Sequence, residues 1–375
     1  MNIWIIFGFM KTVVATLPIC NEITDPKFPT ICAKFANYSK ATFPHPSPCH
    51  IKTIINVLDI IKIDTNEQTI DLVVKLNKWW TDKRIAFNFT ESNKPLSYPW
   101  IDISNRRNQL WIPVFNFMNA IKVEFGTHVI NEYKYLDQKS RIFESETLTL
   151  TLSCRMKFNE FPFDTQICSM KFYNLNGHVD YIVINGPRVN FDPDSPNFNG
   201  NLEKHEFNVL FKEMEPTEYC SKDEEYCRSQ GNVEIKLSRK SRELQKFATS
   251  FYAPTCIFCI LATFSFLIPM ETVPGRMGLL LTLYLISSNT FISVDAPKNR
   301  GFTYLDIWMF GNQLPIIIAI LEYGILLAIS KYANGFVFGK QVNAKLVDLI
   351  CFTLTLIFMG LFDVTYWYVG FNNHH

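Results

Sequence analysis

The stretch Cys154-Arg-Met-Lys-Phe-Asn-Glu-Phe-Pro-Phe-Asp-Thr-Gln-Ile-Cys168 decides how the rest of the chain is read. Its two cysteines bracket thirteen residues. Just before them, Thr147 to Ser153 alternates hydroxyl and leucine side chains, the pattern of a half-buried strand with one apolar face. Whatever lies between the cysteines therefore hangs from a sheet. Phe161-Pro162-Phe163 sets two large apolar side chains around a residue without a backbone N–H, which suits a bent tip, cis or trans, pressed on an apolar surface.

Upstream and downstream of this stretch, from Ile54 to about Phe247, short alternating or β-branched runs are punctuated by Asn, Asp, Pro and Gly. Thr69 to Leu76, Arg84 to Phe89, Asp180 to Ile184 and Asn232 to Leu237 are such runs, and their spacing argues for an antiparallel sandwich. Ile54 to Ile63 mixes both apolar periods and stays open between a short helix and a first strand.

Four later runs differ in kind. Phe251 to Ile268, Met277 to Val294, Leu305 to Ile329 and Leu346 to Tyr368 are each long and apolar enough to cross a bilayer as helices. The link 330–345 carries Lys331, Lys340 and Lys345 and no acid, so the positive-inside rule turns it to the cytoplasm and places both termini outside. The fold class expected is a β extracellular sandwich plus an all-α four-helix transmembrane domain. The divisions are a signal peptide over 1–19, a sandwich over 20–247 and the membrane domain over 248–375. For 375 residues, 48% hydrophobic with 15% aromatic is rich for a soluble protein and ordinary for a half-membrane one. A formal charge of +1 gives no sign of nucleic-acid binding.

Ten cysteines, with sequons at Asn37 and Asn88, fit an N-terminal half folded in an oxidising compartment. Cys20, Cys32 and Cys49 are odd in number, so one is a free thiol, bonded between chains or bonded elsewhere. Cys256 and Cys259, one turn apart inside the first span, read as buried packing rather than zinc ligands. Glu322 and Asp363 are ionisable residues inside the third and fourth spans. No nucleotide loop, catalytic triad or metalloprotease pattern occurs, and neither an enzyme nor a cofactor is expected.

The second apolar run is the most polar of the four. One helical stripe reads Gly278, Thr282, Leu285, Asn289, Ile292 and Ala296 at steps of four and three, a wall suited to water with one apolar constriction at Leu285. Interhelical hydrogen bonding is the plainer use of its hydroxyls and amides.

The cysteine stretch, with Phe-Pro-Phe-Asp at its tip and four spans after it, resembles the signature loop of the Cys-loop receptors, the pentameric ligand-gated ion channels. The likeness runs from roughly Ile54 to Gly370, and includes Trp80-Thr81-Asp82-Lys83-Arg84 and Leu110-Trp111-Ile112-Pro113. Core packing is the plainer use of both tryptophans. The resemblance implies a disulfide between Cys154 and Cys168 and a second between Cys220 and Cys227, in a flap that closes over agonist. It also implies a homo- or hetero-pentamer of related subunits and a pore lined by the second span. Val273-Pro274-Gly275-Arg276-Met277-Gly278-Leu279 is similar to the anion-selective branch, and most like arthropod chloride channels that respond to pH or zinc. Gly275 stands where cation-selective members carry glutamate, and Arg276 with five helix N-termini would give a positive mouth for chloride. By the same resemblance Asp164 pairs with Arg242, and Phe161, Pro162 and Phe163 meet a linker carrying Pro297 and Lys298.

For the ligand, Tyr219 and Tyr226 flank the flap disulfide, and Tyr173 stands near the family's second-loop aromatic, whose matching position is Leu175. The usual Asp of the Trp-x-Pro element is Val114. A small agonist, a proton or zinc is the expected trigger, with the flap acids and His178 or His205 as sensors and metal ligands undetermined. A non-conducting regulatory subunit is the second hypothesis. Its basis is the unusual Gly311-Asn312-Gln313-Leu314-Pro315 in the third span, together with the displaced aromatics.

Overall fold

The computed structural model describes residues 38–44, 47–85, 100–102, 110–125, 133–137, 140–175, 177–192, 198, 202–221, 226–294, 296–297, 301–332, 336–337, 340–341 and 343–372. The segment 1–19, Cys20, Cys32, both sequon asparagines and Lys298 lie outside them.

Strict alternation builds the strands. In β2 (Thr69–Thr81) the even-numbered residues Ile70, Leu72, Val74, Leu76, Lys78 and Trp80 are all buried, while their neighbours are partly exposed or bonded across the sheet. The run left open between helix and strand is a strand, β1 (Cys49–Asp64). Register shifts between Val57 and Asp59 and between Ile60 and Lys62 break its period and account for its ambiguous pattern. The further strands are β3 (Trp100–Asp102), β4 (Phe115–Phe117), β5 (Ala120–Phe125), β6 (Tyr133–Asp137), β7 (Arg141–Ser153), β8 (Thr165–Asn174), β9 (Ile182–Asn190), β10 (Phe207–Glu213), β11 (Thr217–Cys220) and β12 (Cys227–Arg239). Of the expected Arg84 to Phe89 strand, Arg84 and Ile85 belong to a single tight helical turn, Lys83–Ile85, and residues 86–89 lie outside the described residues. There Asp82 takes the Arg84 guanidinium at 2.8 and 2.6 Å and accepts the Arg84 N–H at 3.1 Å, which closes the turn.

These strands form two sheets, in the order β3-β6-β7-β2-β1-β9 with β5 on β7, and β10-β12-β8-β4 with β11 on β12; a third, two-stranded sheet of Phe336–Val337 and Lys340–Gln341 lies in the link after the third helix. Pairing is antiparallel except β1 with β9, which is parallel. Between the sheets lie Leu72, Leu76, Leu150, Leu152, Met170, Phe172, Val233, Ile235 and Leu237, none more than 1% exposed. Each such side chain contributes roughly 1.5–3 kcal/mol by leaving water.

A second apolar cluster closes the far end around Cys49, Trp80 and Trp111, both tryptophans being buried. Cys49 is a free thiol there. Burial, then the Asp82 carboxylate, pushes its pKa from 9.0 up to about 12. Three units mean roughly a thousandfold less thiolate at pH 8. Iodoacetamide at pH 8 is therefore expected to spare Cys49 in the native protein and label it once urea unfolds the chain; equal labelling in both would refute its burial.

Four helices follow: α1 (Ser241–Leu267), α2 (Val273–Ile292), α3 (Tyr304–Tyr332) and α4 (Ala344–Asn372). Ser241–Leu267, Tyr304–Tyr332 and Ala344–Gly370 are long and apolar enough to cross a membrane. α2 is not among them. Its 20 residues are helical, but Thr282, Ser287, Ser288, Asn289 and Thr290 lower its hydropathy. Helix α1 also starts earlier than its apolar run, because Ser241 to Lys246 is polar yet helical.

The odd composition of α3 has a packing reason. A Cβ on Gly311 would sit 2.0 Å from the Phe362 ring, so only glycine lets α4 approach there. Gln313 reaches across to Ser288 of α2 at 3.1 Å.

Candidate functional site

The cysteine ring is a contact point between the sandwich and the helices. A disulfide joins Cys154 to Cys168, at the start of the ring and within β8. Gln166 ties the ring internally: its amide oxygen accepts from Lys157 N–H at 2.7 Å, and its NH₂ donates to Lys157 carbonyl and to Asp164. The Phe161-Pro162 bond is cis. Phe161 is fully buried, edge-on to Phe247 of α1 at 5.3 Å. Phe163 leans on Tyr252 of α1 and Trp367 of α4, at 6.3 and 5.9 Å. The ring also terminates α3, since Tyr304 N–H donates to Asn159 carbonyl at 3.0 Å and Leu305 N–H to Phe161 carbonyl at 3.2 Å. Helix N-terminal amides need acceptors from elsewhere, and here another domain supplies them.

Asp164 does not pair with Arg242. Its partner is Arg239, whose Nε donates to Asp164 Oδ1 at 2.7 Å, both side chains being buried. The guanidinium stacks 4.7 Å from the ring centres of Phe161 and Phe207, and its Nη1 reaches Glu206 at 3.0 Å. Strand parity explains the shift. Val233, Ile235, Leu237 and Arg239 share the core face of β12, whereas Arg242 lies past the strand end, exposed, on Glu203 carbonyl. Pro297 is buried.

Helix α2 has two faces. Arg276, Leu280, Leu283 and Ser287 are buried, the leucines against Ala262, Phe266, Ile316 and Ala319. Gly278, Thr282, Leu285, Asn289 and Ile292 are exposed on the opposite side, Leu285 by 59% and Ile292 by 78%. Ala296 does not continue that face. It lies beyond the helix end and packs on the main apolar core. The hydroxyls also divide: Thr282 donates to its own helix at Gly278 carbonyl, 2.6 Å, while Ser288 accepts from Gln313 of α3. Thr282 is therefore not interhelical glue within the subunit.

Arg276 is a second correction. It is wholly buried and does not ring a mouth. Its Nη2 lies 2.9 Å from Glu322 of α3 and 2.9 Å from Asp348 of α4, with Tyr323 under the guanidinium at 4.4 Å. Pro274 and Gly275 are exposed beside it, and a Cβ on Gly275 would meet nothing within 4 Å.

At the other end of the sandwich, the outer face of the smaller sheet gathers the flap. Cys220 and Cys227 are bonded where β11 meets β12. Tyr219 stands opposite Arg228 in register, and Tyr173 of β8 stacks on Tyr219 at 5.9 Å with planes 18° apart. Asn116 donates to Tyr173 Oη at 2.9 Å, and Tyr226 meets His178 edge-on at 5.2 Å. Glu218 lies near the sulfurs of the flap disulfide, which have no thiolate left to give a metal. His205 is elsewhere, bonded to Ile60 carbonyl, so the two histidines do not converge.

Two arginines and a lysine escaped the reading by residue type. Besides Arg228 and Arg239, Lys78 fills a core-facing place in β2, with Glu146 at 2.7 Å, Glu144 at 2.8 Å and Pro113 carbonyl at 3.2 Å. Burial works against its charge, but the two carboxylates outweigh that and hold its pKa above the ordinary lysine value. The signal was available as parity, since Lys78 continues Val74, Leu76 and Trp80.

A β-sandwich seated through a disulfide-closed loop on a bundle of helices, three of them long and apolar enough to cross a membrane, gives the chain two halves. The chain belongs to the neurotransmitter-gated ion-channel family: residues 31–241, more than half of it, match the model of that family's ligand binding domain. The family is one of channels and not of enzymes. The chain is 24% identical over 307 residues to gamma-aminobutyric acid receptor subunit beta-4 of Gallus gallus, covering 78% of this chain and 57% of that one. It is 21% identical over 300 residues to glutamate-gated chloride channel subunit beta of Haemonchus contortus, covering 77% and 67%. The chain thus spans little more than half the length of the first of these relatives.

Proposed function

We propose that this chain is one subunit of a pentameric ligand-gated chloride channel in the plasma membrane, opened by a small agonist, a proton or zinc at its extracellular half. The observation that carries this reading is the two-faced α2. Its apolar side is used within the subunit, and the side bearing Thr282, Leu285 and Asn289 is left outward with its threonine hydroxyl already bonded. A ring of five such faces gives a polar path with a leucine collar that closes by dewetting. The names of both relatives, a receptor subunit and a chloride channel subunit, support the class.

Anion preference in this reading rests on the N-terminal end of α2, whose partial positive charge faces the path, and on the missing carboxylate at Gly275. Arg276 acts there only through the field left by its two buried acids. The sandwich and both termini lie outside, and the lysine-bearing link 330–345 lies in the cytoplasm.

Thr282→Cys and Leu285→Cys in surface-expressed assemblies test the reading. A soluble thiol reagent is expected to alter currents at both, with reversal potentials that follow the chloride gradient. Two inert sites, resting and stimulated, would defeat the pore assignment. Reversal potentials that follow sodium would defeat chloride.

A further inference from the structure

One acid of the helical bundle is left without a counterpart. Glu243 lies by Arg242 and Lys246, Asp306 accepts from Thr303, and Glu322 and Asp348 share Arg276. Asp363 of α4 has neither a cation nor a hydrogen-bond donor beside it among the described residues. Arg276 of α2 is taken, and α1 from Ala248 onward, α3 before Lys331 and α4 after Lys345 contain no lysine, arginine or histidine to supply one. The place of Asp363 is the seam between α4 and α1. One turn toward the end of α4, Tyr366 Oη lies 2.9 Å from Tyr252 Oη, and one turn the other way Thr263 Oγ1 donates to Met359 Sδ at 3.4 Å. Between those ties α1 presents Cys256 and Cys259, both within electrostatic reach of the Asp363 carboxyl, which is half-buried there.

We propose that Asp363 is a proton-binding site that controls this seam: with the proton on, the neutral carboxyl lies against α1 as seen, and with it off, the carboxylate draws in water and carries the outer turns of α4 away from α1. An unpaired carboxylate in hydrocarbon is costly, and it escapes either by taking a proton or by moving to water. Asp363 stands about 14 Å of helix from Asn372, near enough to the outer surface for both. The titratable groups around it are Cys256, Cys259 and Tyr252 of α1 and Tyr366 of its own helix, while α3 meets this stretch with Tyr304, Trp308 and Gly311. None of them brings a positive charge. The acid form keeps the seam closed, so closure is present at low pH and is lost as pH rises through the carboxyl's own titration. Tyr366 and Trp367, one turn beyond Asp363, both touch Tyr252, and Trp367 also backs Phe163 of the cysteine ring. Loss of the proton therefore loosens the support beneath the ring. Its consequence for gating rests on the channel reading: an alkaline outer solution weakens transmission from the sandwich to the pore.

The test uses the full-length assembly in lipid nanodiscs and reads backbone hydrogen exchange over residues 363–372, at about pH 6 and about pH 9. Comparison with Asp363→Asn at the same pH cancels the intrinsic pH dependence of exchange. At about pH 9 the wild type is expected to exchange at least about tenfold faster than Asp363→Asn, and at about pH 6 the two are expected to match. Asp363→Glu, which keeps a carboxyl, is expected to respond as the wild type does. Unfolding midpoints that match the wild type in acid show that the variants are folded; if Asp363→Asn is not, Asp363→Leu takes its place with the same expectation. Equal exchange of wild type and neutral variant at both pH values would overturn the proposal. So would an excess already complete at about pH 6, which would mean that the carboxylate is charged in the closed seam. The channel reading fails separately. A proton-sensitive seam without current in any assembly would sink only the channel, and chloride currents over a seam indifferent to pH would sink only the proton site.

Discussion

Arg276→Gln is expected to destabilise the membrane bundle by about 3–5 kcal/mol, the usual cost of stranding a buried charge without its partner. The substitution leaves Glu322 and Asp348 facing each other across 2.9 Å contacts that no longer hold a cation. It also removes a contact that ties three helices, since Arg276 belongs to α2, Glu322 to α3 and Asp348 to α4. Arg276 is fully buried and Glu322 and Asp348 nearly so, so the stranded carboxylates would lie in a low-dielectric site. The measurement is the unfolding midpoint of the purified assembly, with surface expression as a second readout. The triple change Arg276→Gln, Glu322→Gln, Asp348→Asn removes all three charges and is expected to recover most of the loss, as replacing a whole buried ion cluster with neutral groups often does. If Arg276→Gln melts like the wild type, the triad is not the fastening described here.

Arg239→Gln is expected to be comparably damaging, at about 3–5 kcal/mol, and to uncouple the two halves. Asp164 would keep only the Gln166 amide, and the stack of Phe161 and Phe207 would lose the cation between them. Currents from surviving surface assemblies should fall far more than agonist binding does, because the recess under the flap is at the other end of the sandwich. Arg242→Gln supplies the contrast. That side chain is exposed and bonded only to a carbonyl and a loose acid, so its change belongs within about 0.5 kcal/mol. Equal effects at 239 and 242 would contradict the pairing seen for Asp164.

These two arginines mark how far the sequence alone could be read. Strand periodicity and long apolar runs gave the two halves, because burial on one face of a sheet and a greasy helix both leave compositional traces. The ring at Cys154 was legible for the same reason, with aromatics around a proline at its tip. Partner choice was not, since charge type says little about which face a side chain takes. Position does say it. Residue 239 has the parity of Val233, Ile235 and Leu237, so it enters the core, and residue 242 does not. Residue 276 is two places from Gly278, about 200° round a helix, and therefore lies on the side away from the exposed stripe. Lys78 follows the same rule in β2. What parity could not supply was that Arg228 would settle on Tyr173, because that contact joins β12 to β8, which lies far from it in the chain.

The two amides of Tyr304 and Leu305 find their acceptors on the cysteine ring. Such bonds are directional, so any slide of the ring over the start of α3 would have to break both. It is either engaged or released, and release must hand both amides to water or to new carbonyls. If the proposed channel transmits its signal through this boundary, the two bonds would make it a latch with discrete positions rather than a sliding contact.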